Sequence, residues 1–207
     1  MPIPLFTHAA QRNRDGLAAR IAYAVMLRKM RIRIWPRIEK WIAGTNILDV
    51  GLGSGTNARF LQERGFSVTG LDVKNMSLYP DIVPVLYDGT TMPFSDRSFD
   101  TALLLHVLHH CGDFKRVLEE TLRVARRVIV IEDTYRNWLE YQAIAANDMV
   151  ANWEFFPHPY QSDRQWRGIF SSLDATLMHA ETWSETFVVG IYGRYSLFVL
   201  EKTKKHA

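Results

Sequence analysis

The chain has 207 residues, 47% of them hydrophobic and 23% charged, with 12 Gly and 8 Pro. That is globular composition at the size of one domain, or one domain with a modest insertion, and it excludes a disordered or fibrous chain. Twenty-five basic and 22 acidic side chains leave a net charge of +3, a field too weak to indicate a nucleic-acid partner. The single cysteine, Cys111, excludes an internal disulfide framework and a Cys-rich zinc site. No apolar run reaches the roughly 18–20 residues of a spanning helix, and no signal peptide is read at the N-terminus, so a cytoplasmic protein is expected.

In chain order, residues 15–43 predict helix. Ile21, Val25, Met26, Met30, Ile34, Ile38 and Trp41 recur at helical spacing, with Arg20, Arg28, Lys29, Arg31, Arg33, Arg37 and Lys40 between them. Pro36 is expected to split the segment and open its second piece. The basic face reads as solvated, with contact to an anionic substrate or a membrane surface as the alternative. Short apolar runs then predict strands at Asn46–Val50, Ser67–Asp72, Ile82–Tyr87, Thr101–His106 and Val128–Glu132, as in a sheet buried on both faces. Helices are predicted between them, at Thr56–Arg64, ending at Gly65, and at Asp113–Arg127, opening on an N-cap Asp. This alternation implies a parallel sheet with helices on both sides. Past residue 134, an aromatic stretch from Trp138 to Phe170 predicts two helices around Pro157 and Pro159, and Ala175–Trp183 with Tyr195–Glu201 predict an antiparallel pair.

Chemistry concentrates where the first strand ends. Asp49 is followed by Gly51, Gly53 and Gly55, and then by a helix. Glycines let the chain turn sharply and let a ligand lie on bare backbone, while the next helix offers unpaired N–H groups to a negative group. A dinucleotide loop reads Gly-x-Gly-x-x-Gly; here the third glycine comes one position early and Thr56 replaces the last. A carboxylate at Asp49 is unwelcome beside a pyrophosphate and welcome beside a cation such as S-adenosylmethionine, which carries no phosphate. Asp72, 21 residues after Gly51, can accept both ribose hydroxyls of either adenosine ligand without choosing between them.

The third segment, Tyr87-Asp-Gly-Thr-Thr-Met-Pro-Phe-Ser-Asp-Arg-Ser-Phe-Asp100, completes a pattern. With Asp49, Gly51, Gly53, Gly55 and Asp72, the residues Asp88, Met92-Pro93-Phe94, Asp96 and Ser98-Phe99-Asp100 resemble the class I S-adenosylmethionine-dependent methyltransferases, in the branch of small-molecule and lipid methylators. The resemblance covers about residues 44–133, with Met92 in place of the family's Leu. It implies an α/β, doubly wound, Rossmann-like and mostly parallel seven-stranded sheet with an antiparallel last strand, N-terminal helices and a helical cap. It also implies S-adenosylmethionine as cofactor, held by Asp49, Gly51, Gly53, Gly55 and Asp72. Asp88 would accept the adenine amino group beside Gly89, and Leu105 and His106 would lie at the methionine end. Segment Pro93–Phe99 is expected to be a structural turn.

Methyl transfer needs a general base only if the acceptor must lose a proton. His106 is the first candidate, among His106, His109 and His110 after strand four, and His158 in the tail is the second. Trp153, Phe156 and Tyr160 are candidate acceptor contacts in an apolar cap. No His, Asp or Glu grouping has metal-ligand spacing, and no metal is expected. The organisation expected is an N-terminal helical segment, 1–43, and a methyltransferase domain, 44–207, with a cap insertion at about 134–173. The acceptor is expected to be small and apolar or amphipathic, with peripheral membrane contact compatible and nucleic acid the less expected partner. The alternatives are an RNA methyltransferase and a non-catalytic S-adenosylmethionine-binding scaffold of the same fold.

Overall fold

A computed structural model describes residues 16–152, 159–188 and 191–203. Seven strands form one sheet: β1 (Asn46–Val50), β2 (Ser67–Asp72), β3 (Val85–Leu86), β4 (Phe99–Leu105), β5 (Ala125–Asp133), β6 (Ala175–Val188) and β7 (Ile191–Lys202). Their order across the sheet is β3-β2-β1-β4-β5-β7-β6. Strands β1 to β5 pair in parallel, and β7 runs antiparallel to both β5 and β6. Strand order reverses between β1 and β4, so their carboxyl ends open the crevice where such sheets bind ligands.

Alternation along the central strands builds two cores. Ala102 and Leu104 of β4, Val128 and Val130 of β5, and Phe198 and Leu200 of β7 face one side, with Val117, Leu118, Trp166 and Phe170 packed over them. Leu103 and Leu105, Ile129 and Ile131, and Leu197 and Val199 face the other, under Met30, Ile34, Ile38 and Phe60. Every second side chain thus enters the opposite layer, as a strand's two-residue period requires. The helices are α1 (Leu17–Lys29), α2 (Trp35–Ile38), α3 (Thr56–Gln62), α4 (Phe114–Val124), α5 (Trp138–Asn152) and α6 (Asp163–Ser172). Asp113 caps α4 by accepting the Arg116 N–H. Ser162 and Gln165 form a reciprocal capping box on α6, a device that stabilises a helix start by about 1 kcal/mol.

The N-terminal segment divides as Pro36 suggests: Pro36 lies in the first turn of α2, and Met30–Ile34 before it wind as a π-helical turn that absorbs the missing N–H. Several boundaries differ from the sequence reading. Strand β3 is two residues rather than six, because Pro84 offers no N–H and the segment is an edge. Helix α4 stops at Val124, and Ala125–Arg127 belong to β5. There Ala125 pairs with Phe99, and Arg127 pairs with Glu201 of β7; ladder bonds on both sides outweigh one more helical turn. Strand β4 stops at Leu105, leaving His106 to begin the turn.

Candidate active site

Gly51, Gly53 and Gly55 all have positive φ, at 72°, 53° and 76°. Their reasons differ. A Cβ on Gly51 would lie 2.7 Å from Val107 Cγ2, and one on Gly55 2.7 Å from Ser77 Oγ, so both are required by close packing. A Cβ on Gly53 would meet only the Gly51 carbonyl oxygen, at 3.8 Å. Gly53 is therefore the position where open space meets bare backbone. The loop is held to β2 from two directions: Gly51 N–H donates to the Leu71 carbonyl, 2.8 Å, and Gly53 N–H donates to Asp72 Oδ2, 2.9 Å.

A cleft of about 270 Å³ opens beside this loop. Gly51, Asp72, Asp88 and Gly89 line it, together with Asp113 and with Val107, His110 and Cys111 from the turn after β4. Three carboxylates thus face the cleft, and no Lys or Arg lines it among the described residues. Burial, then the charges of Glu132 and Asp72, push the Cys111 thiol up to about 12, so it lines the cleft as a neutral group and not as a thiolate nucleophile. Burial likewise raises the Tyr87 hydroxyl, keeping it neutral. Asp88 is exposed and held below the usual carboxylate range by the backbone N–H groups of Thr91 and Thr90, each 2.8 Å from its Oδ1.

Asp49 lies beneath the loop, 2% exposed. Its Oδ2 is buried without a hydrogen-bond partner among the described residues. Burial first, and the nearby Asp72 carboxylate second, raise its pKa well above the ordinary value. An unpartnered buried anion beside a second anion is an unstable arrangement that a cation relieves. The donor set therefore fits an adenosyl ligand that is cationic and free of phosphate.

A second cluster lies at the carboxyl ends of β4 and β5. His106 has φ 59°, a costly conformation for a side chain other than Gly. The turn is over-determined: His106 N–H donates to the Ile131 carbonyl, and Glu132 Oε1 accepts from both Val107 N–H, 2.8 Å, and Leu108 N–H, 2.7 Å. Glu132 Oε2 meets His109 Nδ1. His106 Nδ1 lies 2.8 Å from Asp133 Oδ2, and its ring stands edge-on to Tyr195 at 5.4 Å. Burial would raise Asp133, but the charge and hydrogen bond of His106, with His109 and Lys29 beyond, hold it down at about 2. Its folded value is depressed, so the stabilisation it brings is complete above roughly pH 4 and is lost as pH falls toward that value.

Of the expected site residues, Gly51, Asp72, Asp88 and Gly89 come together at the cleft. Gly53 and Gly55 belong to the loop beside it, and Asp49 lies in β1 beneath that loop. Leu105 packs in the core under Met30 and Ile34, and His106 lies at the next strand end. Tyr160 is buried 5.3 Å from the His109 ring and 5.9 Å from Tyr141. Trp153, Phe156 and His158 lie outside the described residues. Trp166 and Phe170, at the end of the aromatic stretch, are core side chains against Phe198 rather than a cap. Sequence reasoning missed Glu132 and Asp133. The available signal was a carboxylate pair closing a buried strand at the edge that carries the glycine loop.

The cleft geometry sets one expectation for binding. Asp72→Ala should weaken S-adenosylhomocysteine binding by about 1.5–3 kcal/mol in calorimetry and also lower the melting midpoint, since Gly53 N–H loses its acceptor. Gly53→Val, which adds a branched side chain at positive φ, should weaken binding further. Parent-like binding by both variants would put the cofactor elsewhere.

Residues 48–128 match the methyltransferase domain family. The demethylmenaquinone methyltransferase of Beutenbergia cavernae is 28% identical over 160 residues, 68% of this chain and 66% of that protein. The sarcosine/dimethylglycine N-methyltransferase of Aphanothece halophytica is 30% identical over 107 residues, 45% of this chain and 39% of that protein. The chain thus spans from about two-fifths to just under two-thirds of the length of these curated relatives. Among solved structures, a SAM-dependent methyltransferase from Methanosarcina mazei superposes with a TM-score of 0.64 at 17% identity, covering 83% of this chain and 99% of that one. Residues 48–128 thus match a methyltransferase domain, and the chain around them has the Rossmann-like fold of the solved methyltransferases it superposes on.

Proposed function

We propose that the protein is an enzyme that transfers a methyl group from S-adenosylmethionine to a small, apolar or amphipathic acceptor bearing a hydroxyl. The observation that carries the cofactor reading is the buried Asp49 Oδ2, without a hydrogen-bond partner among the described residues, under the loop beside a cleft that carboxylates line and no described basic side chain lines. That charge pattern disfavours a dinucleotide's pyrophosphate and an RNA backbone alike. Asp49 would hold the cationic end, Asp72 the ribose hydroxyls, and Asp88 with Gly89 the adenine edge. S-adenosylmethionine, when bound, supplies a methyl group already activated by its positive sulfur.

What remains for the chain is to orient the acceptor and take its proton. Ionised Asp133 accepts the Nδ1–H of His106, which leaves Nε2 as the proton acceptor. Tyr160 packs on His109 and Tyr141 packs on Tyr160, an aromatic surface that suits an apolar ring. Relatives acting on demethylmenaquinone and on sarcosine or dimethylglycine, by their names, use acceptors of unlike chemistry, so the His106–Asp133 pair carries the choice of a hydroxyl.

Calorimetry with S-adenosylhomocysteine and NAD tests the cofactor; binding of NAD alone would overturn it. Turnover of labelled S-adenosylmethionine with simple phenols and quinols, against secondary amines, tests the acceptor. His106→Ala should lower kcat by about 10²–10⁴-fold. Asp133→Asn should lower kcat, because the imidazole loses the carboxylate that fixes its Nδ1–H tautomer. An unchanged kcat with a lowered melting midpoint would make Asp133 a structural residue only.

A further inference from the structure

Among the described residues, helix α1 packs by one face and exposes the other. On the inner face, Met30 and Ile34 just beyond its end are buried, the Tyr23 ring meets Tyr79, and Met26 Sδ lies 3.9 Å from Thr56 Oγ1 beside the glycine loop. On the outer face, Leu17, Ile21, Val25 and Ile32 are 74%, 45%, 63% and 57% exposed. These positions recur every four to seven residues and form one stripe. Exposed Arg20, Arg28 and Arg31 run within and beside it.

Charge along this segment has one sign. Between residues 16 and 38 there are six basic side chains and no acidic one. Arg33 and Arg37 turn inward to Glu185 and Glu181 of β6. Arg20, Arg28 and Arg31 have no acidic partner among the described residues. Among those residues no helix is long and apolar enough to cross a membrane, so a helix of this pattern suits the plane of a bilayer surface and not its interior.

We propose that the outer face of α1 and of the π-helical turn after it docks on an anionic phospholipid bilayer, with Leu17, Ile21, Val25 and Ile32 entering the headgroup–acyl boundary and Arg20, Arg28 and Arg31 meeting lipid phosphates. Charge complementarity selects this occupant. A second copy of the chain on the same face would set three arginines against three. A nucleic acid would use the arginines and leave the apolar stripe in water. Trp138 and Leu139, 69% and 71% exposed, open α5 just past the carboxyl end of β5. They lie at the same sheet edge as the glycine loop that Met26 approaches, and a Trp there suits the headgroup layer. The docking does not depend on which acceptor the site methylates.

Co-sedimentation of the whole protein with phosphatidylcholine vesicles, with and without phosphatidylglycerol, tests this. The protein should pellet with the anionic vesicles, much less with the neutral ones, and less at high salt. Leu17→Ser/Ile21→Ser/Val25→Ser should weaken binding about tenfold or more. Arg20→Gln/Arg28→Gln/Arg31→Gln should weaken it about a hundredfold, from about fivefold per charge. Both variants should keep the parent's circular dichroism and melting midpoint, since all six side chains are exposed. No pelleting by the parent, or pelleting untouched by either triple variant, would overturn the proposal. So would loss with the arginine variant alone, which would mark a purely electrostatic surface. A dimer in light scattering that the serine variant dissolves would assign the face to a second copy instead.

Discussion

Glu132→Ala is expected to lower stability by about 3–5 kcal/mol, the range for removing one partner of a buried charged contact. Glu132 is fully buried, and one carboxylate serves three donors: the N–H groups of Val107 and Leu108 and the ring of His109. Alanine leaves two backbone donors and an imidazole without acceptors in a space water does not reach, each unsatisfied group costing about 1–3 kcal/mol. The turn so released carries Val107, His110 and Cys111 of the cleft, so cofactor affinity should fall with stability. Glu132→Gln is the control. Its amide oxygen can still accept both backbone N–H groups, and its NH₂ can donate to His109 in the other tautomer, so most of the stability should return. Urea denaturation of the three proteins reads the effect. Equal losses in Ala and Gln would mean that charge, rather than the satisfied donors, is what matters.

Asp49→Asn should do the opposite to stability and the same to binding. The folded protein without ligand carries this carboxylate at a raised pKa, so ionising it opposes folding. The sign follows from linkage: a carboxyl with a raised folded pKa binds its proton more tightly when folded, so its penalty is absent at low pH and complete above the raised value. Asparagine removes the penalty at neutral pH, and the urea midpoint of the unliganded protein should rise. S-adenosylhomocysteine has an ammonium that loses its counter-charge, and its affinity should fall by about 1.5–3 kcal/mol, the scale of a charged hydrogen bond. A variant that is neither more stable nor weaker in binding would mean that Asp49 is a spectator. Site residues set against stability in this way are expected where function selects the charge.

How much of this was legible depended on whether a residue's reason was local. Strands β1 and β2 lie where the apolar runs placed them, because Asp49 with the glycines and Asp72 mark their ends. The antiparallel pairing of the last two strands was legible from the short spacing between them. Strand β3 was not, because Pro84 on an edge leaves only two paired residues. His106 reads as one more strand residue in an apolar run, and nothing local marks its positive φ, which Glu132 imposes from 26 positions away. The same distance hid Glu132 and Asp133. As sequence they end a strand, and only the parallel pairing of β4 with β5 brings them to His106 and His109. Trp166 and Phe170 carried the signature of a ligand cap as well as of a core, and packing against Phe198 decides for the core.

Strand β7 lies between β5 and β6, although it follows both in the chain. During synthesis this order has a consequence. Residues up to the end of β6 can leave the ribosome, at about 5–20 residues per second, and β6 still has no place in the sheet. Until residues 191–202 emerge, the outer edge of β5 stays unpaired, and the two apolar layers lack Leu197, Phe198, Val199 and Leu200. A nascent chain in that interval presents an open strand edge beside an unfinished core, the kind of surface that pairs with other chains or with chaperones. The last strand made therefore closes the domain, and any interruption of translation between β6 and β7 leaves it unable to close.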